Sequence, residues 1–158
     1  MADTAKPKPA KRRAPTRPTP KPKVSVPPKG GPKVDPREVE LLVKPGRKGK
    51  GDGPDGEYWE VQVSGKRAGE VFVNVIDEPP VGRHASLQIF LNKDQQGRGV
   101  GRVAYRKAAE ASRHDVIHLH MRKANVASRL AAEAAGFKDV SPPTITQLIL
   151  KRTRGQDA

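Results

Sequence analysis

Residues Gln96 to Gly101 read Gln-Gly-Arg-Gly-Val-Gly, and Arg102 follows directly. Glycine lets the backbone approach a ligand closely and adopt left-handed conformations. Such a run between a strand and a helix leaves the unpaired N–H groups of the first helical turn pointing at an anion. The neighbours predict that placement. His84 to Leu91 alternates like a strand, and Val100, Val103, Ala104, Lys107, Ala108 and Ala111 follow helical spacing. Arg98 and Arg102 add positive charge at the same spot. A diphosphate is the natural guest.

Other glycine loops fit less well. Gly99, Gly101 and Ala104 match G-x-G-x-x-A, but a dinucleotide fingerprint needs an acidic residue about 20 positions on. That neighbourhood is Met121-Arg122-Lys123. A Walker loop requires Gly-Lys-Ser/Thr after the glycines, and none follows. A loop without a ligand is the remaining alternative, since a lone glycine cluster is a weak signal.

A second motif decides between them. Asn125-Val-Ala-Ser128-Arg129 is followed at the end of a helical stretch by Gly136-Phe137. Together with Gln96, Gly99 and Gly101, read as Gln-x-x-Gly-x-Gly, it resembles the GNAT (GCN5-related N-acetyltransferase) superfamily over roughly 57–152. The resemblance implies acetyl-CoA as acyl donor and an N-acetyltransferase acting by direct transfer to an amine. It implies that pantetheine lies along the main chain of Ile89 and Leu91. The pyrophosphate is expected on Gln96 and on the N–H groups of Gly97, Arg98, Gly99, Val100, Gly101 and Arg102. Asn125 caps the second helix while contacting the pantetheine arm, beside Ser128 and Arg129. The run from Asn125 to Phe137, with Glu133, looks closest to the branch that acetylates ribosomal-protein N-termini.

Acetyl transfer requires a neutral amine, a stabilised oxyanion and a proton for the departing thiolate. Many members of the superfamily donate that proton from a tyrosine seven residues after the asparagine, where this chain has Ala132. Ser128 is the expected substitute. For the base, His118 and His120 alternate with Ile117, Leu119 and Met121 and share one face of a strand; His84 and Glu70 are further candidates. Two histidines at i and i+2 without carboxylates nearby make a poor metal site, and none is expected. Each of these residues could instead serve ordinary packing or, for Asn125, capping alone.

The rest of the chain must position these groups. Lys and Arg number 31 against 17 Asp and Glu, a net charge of +14. Residues 1–34 hold ten of the cations, one acid and nine prolines, a composition that predicts a disordered tail. Its cations, Lys11, Arg12, Arg13 and Arg17 among them, suit non-specific contact with nucleic-acid phosphates. Only six aromatics exist, too few for a stacking platform. Residues 35–158 read as one domain: a strand over Glu38–Val43, a hairpin of Glu57–Val63 and Arg67–Ile76, a strand over His84–Leu91, a helix, a strand over Val116–Met121, a helix from Asn125, and a strand over Thr144–Lys151. This order predicts a mixed α/β (α+β), mostly antiparallel sheet with flanking helices. It is shortened on its N-terminal side. Where the superfamily carries two helices roofing the acceptor, this chain has only the Gly/Lys run Lys44–Gly56. An open cleft for a macromolecular acceptor, a protein among the candidates, is the favoured reading, with cover by a second subunit in a homodimer the alternative. The chain lacks cysteine, and with no apolar run near 20 residues it is expected to be cytoplasmic, without membrane contact. The competing function is a nucleic-acid-binding protein whose GNAT-like domain is non-catalytic or modifies a nucleobase.

Overall fold

The computed structural model describes residues 31–155. Strands β1 (Val39–Val43), β2 (Glu57–Val63), β3 (Lys66–Glu78) and β4 (Gly82–Leu91) form an antiparallel meander. Helix α1 (Val100–Ala111) then crosses over to β5 (Val116–Arg122). Helix α2 (Val126–Ala134), the two-residue β6 (Lys138–Asp139) and β7 (Gln147–Thr153) complete the chain. The seven strands lie in the order β1-β2-β3-β4-β5-β7-β6, the mixed and mostly antiparallel sheet expected. Only β4 and β5 run parallel, as a helical crossover demands.

Alternation sorts the two sheet faces. Trp59, Val61, Val71, Val73, Ala85, Leu87, Ile117 and Leu119 point to one side and bury against Val100, Val103, Ala104 and Ala108 of α1 and Ala132 of α2. The opposite face carries the residues between them: Tyr58, Glu70, Phe72, Asn74, His84, Ser86, Phe90, His118 and His120. No helix among the described residues covers that second face. The Gly/Lys run folds onto part of it instead, so the cleft is less open than the sequence suggested. Gly46, Gly51 and Gly56 pack so closely that a Cβ on Gly46 or Gly56 would overlap the Gly51 carbonyl. That contact is available only to glycine.

The β4–β5 pairing is short. Ala85 faces Ile117 and Ser86 faces His118, and there the register ends. Beyond it β4 continues to Leu91 and β5 to Arg122 without pairing to each other. A wedge opens in the middle of the sheet.

Candidate active site

The glycine loop sits at the mouth of this wedge. Gly97 and Gly99 have φ of 77° and 81°, the left-handed region that disfavours a Cβ. Gly99 is the N-cap of α1 and brings no side chain to the cap, so the N–H groups of the first turn stay available. A cleft of about 780 Å³ runs from the loop along the wedge. Its floor is Ile89 and Leu91, its mouth Gln96, Gly97 and Gly99 to Arg102, and its wall Asn125, Ser128, Leu130 and Ala131 of α2. The half-exposed Leu130 makes that wall apolar. Donors at a helix start, cationic Arg102 and an apolar channel are the features that an acyl-CoA's diphosphate and pantetheine arm require, and the site fits such a group.

Individual residues are placed unevenly. The Gln96 side-chain amide donates to the Leu91 carbonyl at 3.2 Å, so that carbonyl already has a partner. Asn125 caps α2, its Oδ1 accepting from the Ser128 N–H at 3.3 Å. Arg98 and Arg129 do not line the cleft. The Arg98 guanidinium donates to the Pro32 carbonyl (3.0 Å) and to Gln95 (2.8 Å), and Arg129 faces Glu133 at 3.8 Å.

Two polar lining residues escaped the sequence reading. Lys33 belongs to the stretch assigned to the tail, yet it lines the cleft and donates to the Gly97 carbonyl at 3.0 Å. The neighbouring Val34 N–H reaches the Arg98 carbonyl at 2.9 Å, and its side chain is buried. Tyr105, in the second turn of α1, is the second. Its hydroxyl lies 2.7 Å from Ser128 Oγ across the helix pair, and Phe137 packs edge-on against its ring. Burial pushes the Tyr105 pKa up, the Ser128 contact only partly opposing this, so the phenol stays protonated at neutral pH. Ala132, at the usual tyrosine position, is fully buried. A phenol thus reaches the cleft from α1 where α2 lacks one. The signal was Tyr105 lying one position from the Val100–Ala104–Ala108 stripe, on the side facing α2.

On the other face, at the root of the wedge, three histidines meet. His84 Nδ1 lies 2.6 Å from the Gly82 carbonyl, and His84 Nε2 lies 2.7 Å from His120 Nε2. A carbonyl can only accept, so Nδ1 carries the His84 proton. With His84 neutral, His120 must donate from Nε2, which leaves His120 Nδ1 with its lone pair. Burial, with the neighbouring His84 adding to it, lowers the His120 pKa. His118 packs edge-on against His84, and its Nδ1 is buried without a hydrogen-bond partner. Burial first, then His84, Lys151 and His120, lower its pKa to about 4. Among the described residues no three acidic or histidine side chains are arranged to hold a metal ion.

His118 makes stability depend on pH. Its folded pKa lies below the ordinary value of 6.5, so the unfolded chain binds the extra proton first as pH falls. The stabilisation is complete above about pH 6.5 and is lost progressively toward pH 4. Between pH 7 and 5 the loss is on the order of 1 to 2 kcal/mol. Urea unfolding of wild type and His118→Leu measures it, the variant showing the shallower slope.

Glu70 stands apart from the histidines. Burial alone would raise its pKa, but hydrogen bonds from Lys50 and Tyr58 outweigh this and hold it below the usual range. It is an ionised carboxylate already engaged by a cation.

Comparison with known proteins agrees with this geometry. Residues 31–137 match the model of the acetyltransferase (GNAT) family. Curated proteins give no match. Among solved structures, the chain is similar to AAC(6')-Ib in complex with paromomycin and acetyl-CoA (18% identity, TM-score 0.53, 63% of this chain and 66% of that one). It is also similar to a putative GNAT-family acetyltransferase from Bordetella pertussis (22%, 0.52, 68% and 71%). A third is the GNAT domain of S. lividans PAT (16%, 0.53, 63% and 61%). The chain thus spans just under two thirds of the first and third of these. No helix among the described residues is long and apolar enough to cross a membrane. With the family model covering most of the chain and the wedge, glycine loop and capped second helix in place, the chain belongs to the acetyltransferase (GNAT) family, whose acyl donor is acetyl-CoA.

Proposed function

We propose that this protein is an N-acetyltransferase that moves an acetyl group directly from acetyl-CoA to an amine bound on the sheet face that no helix covers. The observation that carries the reading is the wedge between β4 and β5, with an anion-binding helix start at its mouth and the Tyr105–Ser128 hydroxyl pair in its wall. Bound there, acetyl-CoA supplies an activated acyl thioester. The main chain of Ile89 and the apolar wall of α2 hold its arm, and the first turn of α1 with Arg102 and Lys33 holds its phosphates.

His120 takes a proton from the acceptor ammonium at Nδ1, the nitrogen left free by its bond to His84. Ser128 Oγ gives a proton to the departing sulfur and recovers one from the Tyr105 hydroxyl; the second proton, which the attacking nitrogen loses as the adduct collapses, returns through cleft water to the phenolate, so the pair ends neutral. His118, buried and without a route for its proton, packs rather than transfers. The likeness of Asn125–Arg129 to the ribosomal-protein branch makes peptide N-terminal amines one acceptor class to be tried.

The test is a titration of acetyl-CoA into the full chain, followed by thiol-release turnover over a panel of primary amines. Micromolar binding with turnover on at least one amine supports the proposal, and absence of binding sinks it. Lys11, Arg12, Arg13 and Arg17 lie outside the described residues, and nucleic-acid contact through them remains a separate proposal. Deleting residues 2–30, which spares Lys33, should remove salt-dependent binding of a random DNA duplex and leave acetyl-CoA affinity unchanged; retained DNA binding would assign that contact elsewhere.

A further inference from the structure

Lys50 closes a tight turn opposite Arg47. Its N–H donates to the Arg47 carbonyl at 2.7 Å, and its own carbonyl accepts from the Arg47 N–H at 3.0 Å. Asn74 of β3 brackets it, accepting from the Gly51 N–H at 2.7 Å and donating to the Gly49 carbonyl at 2.9 Å. Gly49 and Gly51 adopt φ of 76° and 74°, so the turn depends on residues that take left-handed backbone without cost. This loop presents its lysine in a fixed position.

The ammonium so presented enters a three-sided receptor. Nζ lies 2.7 and 3.2 Å from the two Glu70 oxygens. It sits 5.9 Å from the centroid of Phe72 and 5.7 Å from that of Phe90. Charge-assisted hydrogen bonds and two ring quadrupoles act on the same cation. The Tyr58 hydroxyl donates to Glu70 at 3.2 Å and steadies the carboxylate. The Glu70 side chain is only 10% exposed, whereas that of Lys50 is 37% exposed, so the cage is the rigid partner and the lysine the one free to leave. Phe90 belongs to β4, the strand bordering the wedge, and it is paired with Glu70 on the face that also carries His120. More than half of the Phe90 surface is exposed, apolar area beside the cage that a carbon stem would cover.

We infer that Glu70, Phe72 and Phe90 form an ammonium-binding subsite of the acceptor face, that it holds a primary alkylammonium on an unbranched carbon stem apart from the amine that His120 deprotonates, and that Lys50 fills it as an internal stand-in. Its place in catalysis rests on the acetyl-transfer reading above; the binding chemistry does not. Displacement exchanges one ammonium for another, so the nearly buried carboxylate need never stay unpaired, a state that would be costly. A neutral or acidic group cannot make that exchange. The stem belongs either to a peptide lysine or to a free alkylamine.

Calorimetry on the full chain separates these possibilities. The probes are Nα-acetyl-lysine N-methylamide, n-butylammonium, uncharged Nα-acetyl-norleucine N-methylamide, and alanine N-methylamide with its branched α-ammonium. If Lys50 fills the cage about nine-tenths of the time, Lys50→Ala binds the blocked lysine about tenfold tighter than wild type. Lys50→Arg keeps the wild-type affinity, and adding Glu70→Gln to Lys50→Ala removes the gain. Tighter binding of blocked lysine than of butylammonium assigns the cage to peptide lysines, and equal binding assigns it to free amines; both support the ammonium site. Equal affinity in wild type and Lys50→Ala overturns it, as does equal binding of the norleucine probe or tighter binding of alanine N-methylamide. Acetyl-CoA is titrated separately. A chain that binds the lysine probe but not acetyl-CoA refutes the transfer reading alone, and the reverse result refutes this inference alone.

Discussion

Replacing Gly99 by glutamate (Gly99→Glu) raises the Kd for acetyl-CoA about a hundredfold or more, and the fold survives. Two effects add. Position 99 has φ +81°, where a side chain costs on the order of 1 kcal/mol. The new carboxylate also starts from a Cβ position within 4 Å of Lys33 and Arg102 side-chain atoms, so it neutralises the cations meant for a diphosphate and repels the diphosphate itself. A hundredfold change corresponds to about 2.7 kcal/mol, and at this site electrostatics must supply most of it. Gly99→Asn separates the two effects, because asparagine tolerates the left-handed region better than other residues and carries no charge. Calorimetry should show a loss of only a few fold for Asn. Equal losses for Asn and Glu would mean that backbone shape, not anion binding, governs the position.

Ser128→Ala lowers kcat by about a hundredfold while the acetyl-CoA Kd changes little, the signature of a group that acts on the departing sulfur and not on the bound substrate. Tyr105→Phe keeps the ring packed on Phe137 and removes only the hydroxyl, so its melting temperature should stay close to wild type. Its kcat falls too, because Ser128 then has no proton source 2.7 Å away. The double variant is no slower than Ser128→Ala, since both residues serve one proton path. Additive losses would show two independent roles. An unchanged kcat in Ser128→Ala would remove the pair from the mechanism.

What could be read from the sequence follows a physical division. Periods of two and 3.6 report which face of an element is buried, so the strands and α1 were placed to within about three residues, the start of β7 being the worst. The glycine loop and the Asn125 cap were equally legible, because backbone chemistry at a helix start is local. The two-residue β6 was missed: Lys138 and Asp139 carry no period and are exposed. The contacts that refine the site are through space. Tyr105 meets Ser128 only because α1 and α2 pack side by side, and Lys33 reaches Gly97 across 64 positions. Lys50 was read as part of a featureless Gly/Lys run, since nothing local reveals that Asn74 holds both of its neighbours. Arg98 shows the converse, a cation beside the loop whose guanidinium donates to Pro32 and Gln95 instead of lining the cleft.

The short β4–β5 register also means that this sheet has a third edge, running through its interior. From Leu87 to Leu91 one side of β4 meets no strand, and unpaired strand edges invite any chain able to extend the ladder. Gln96 guards one end by taking the Leu91 carbonyl, and the remainder is open to a ligand with amides spaced like a peptide. Pantetheine has two. For this protein, loading the donor amounts to adding a missing strand, and the loaded form should be the mechanically stiffer and less adhesive of the two.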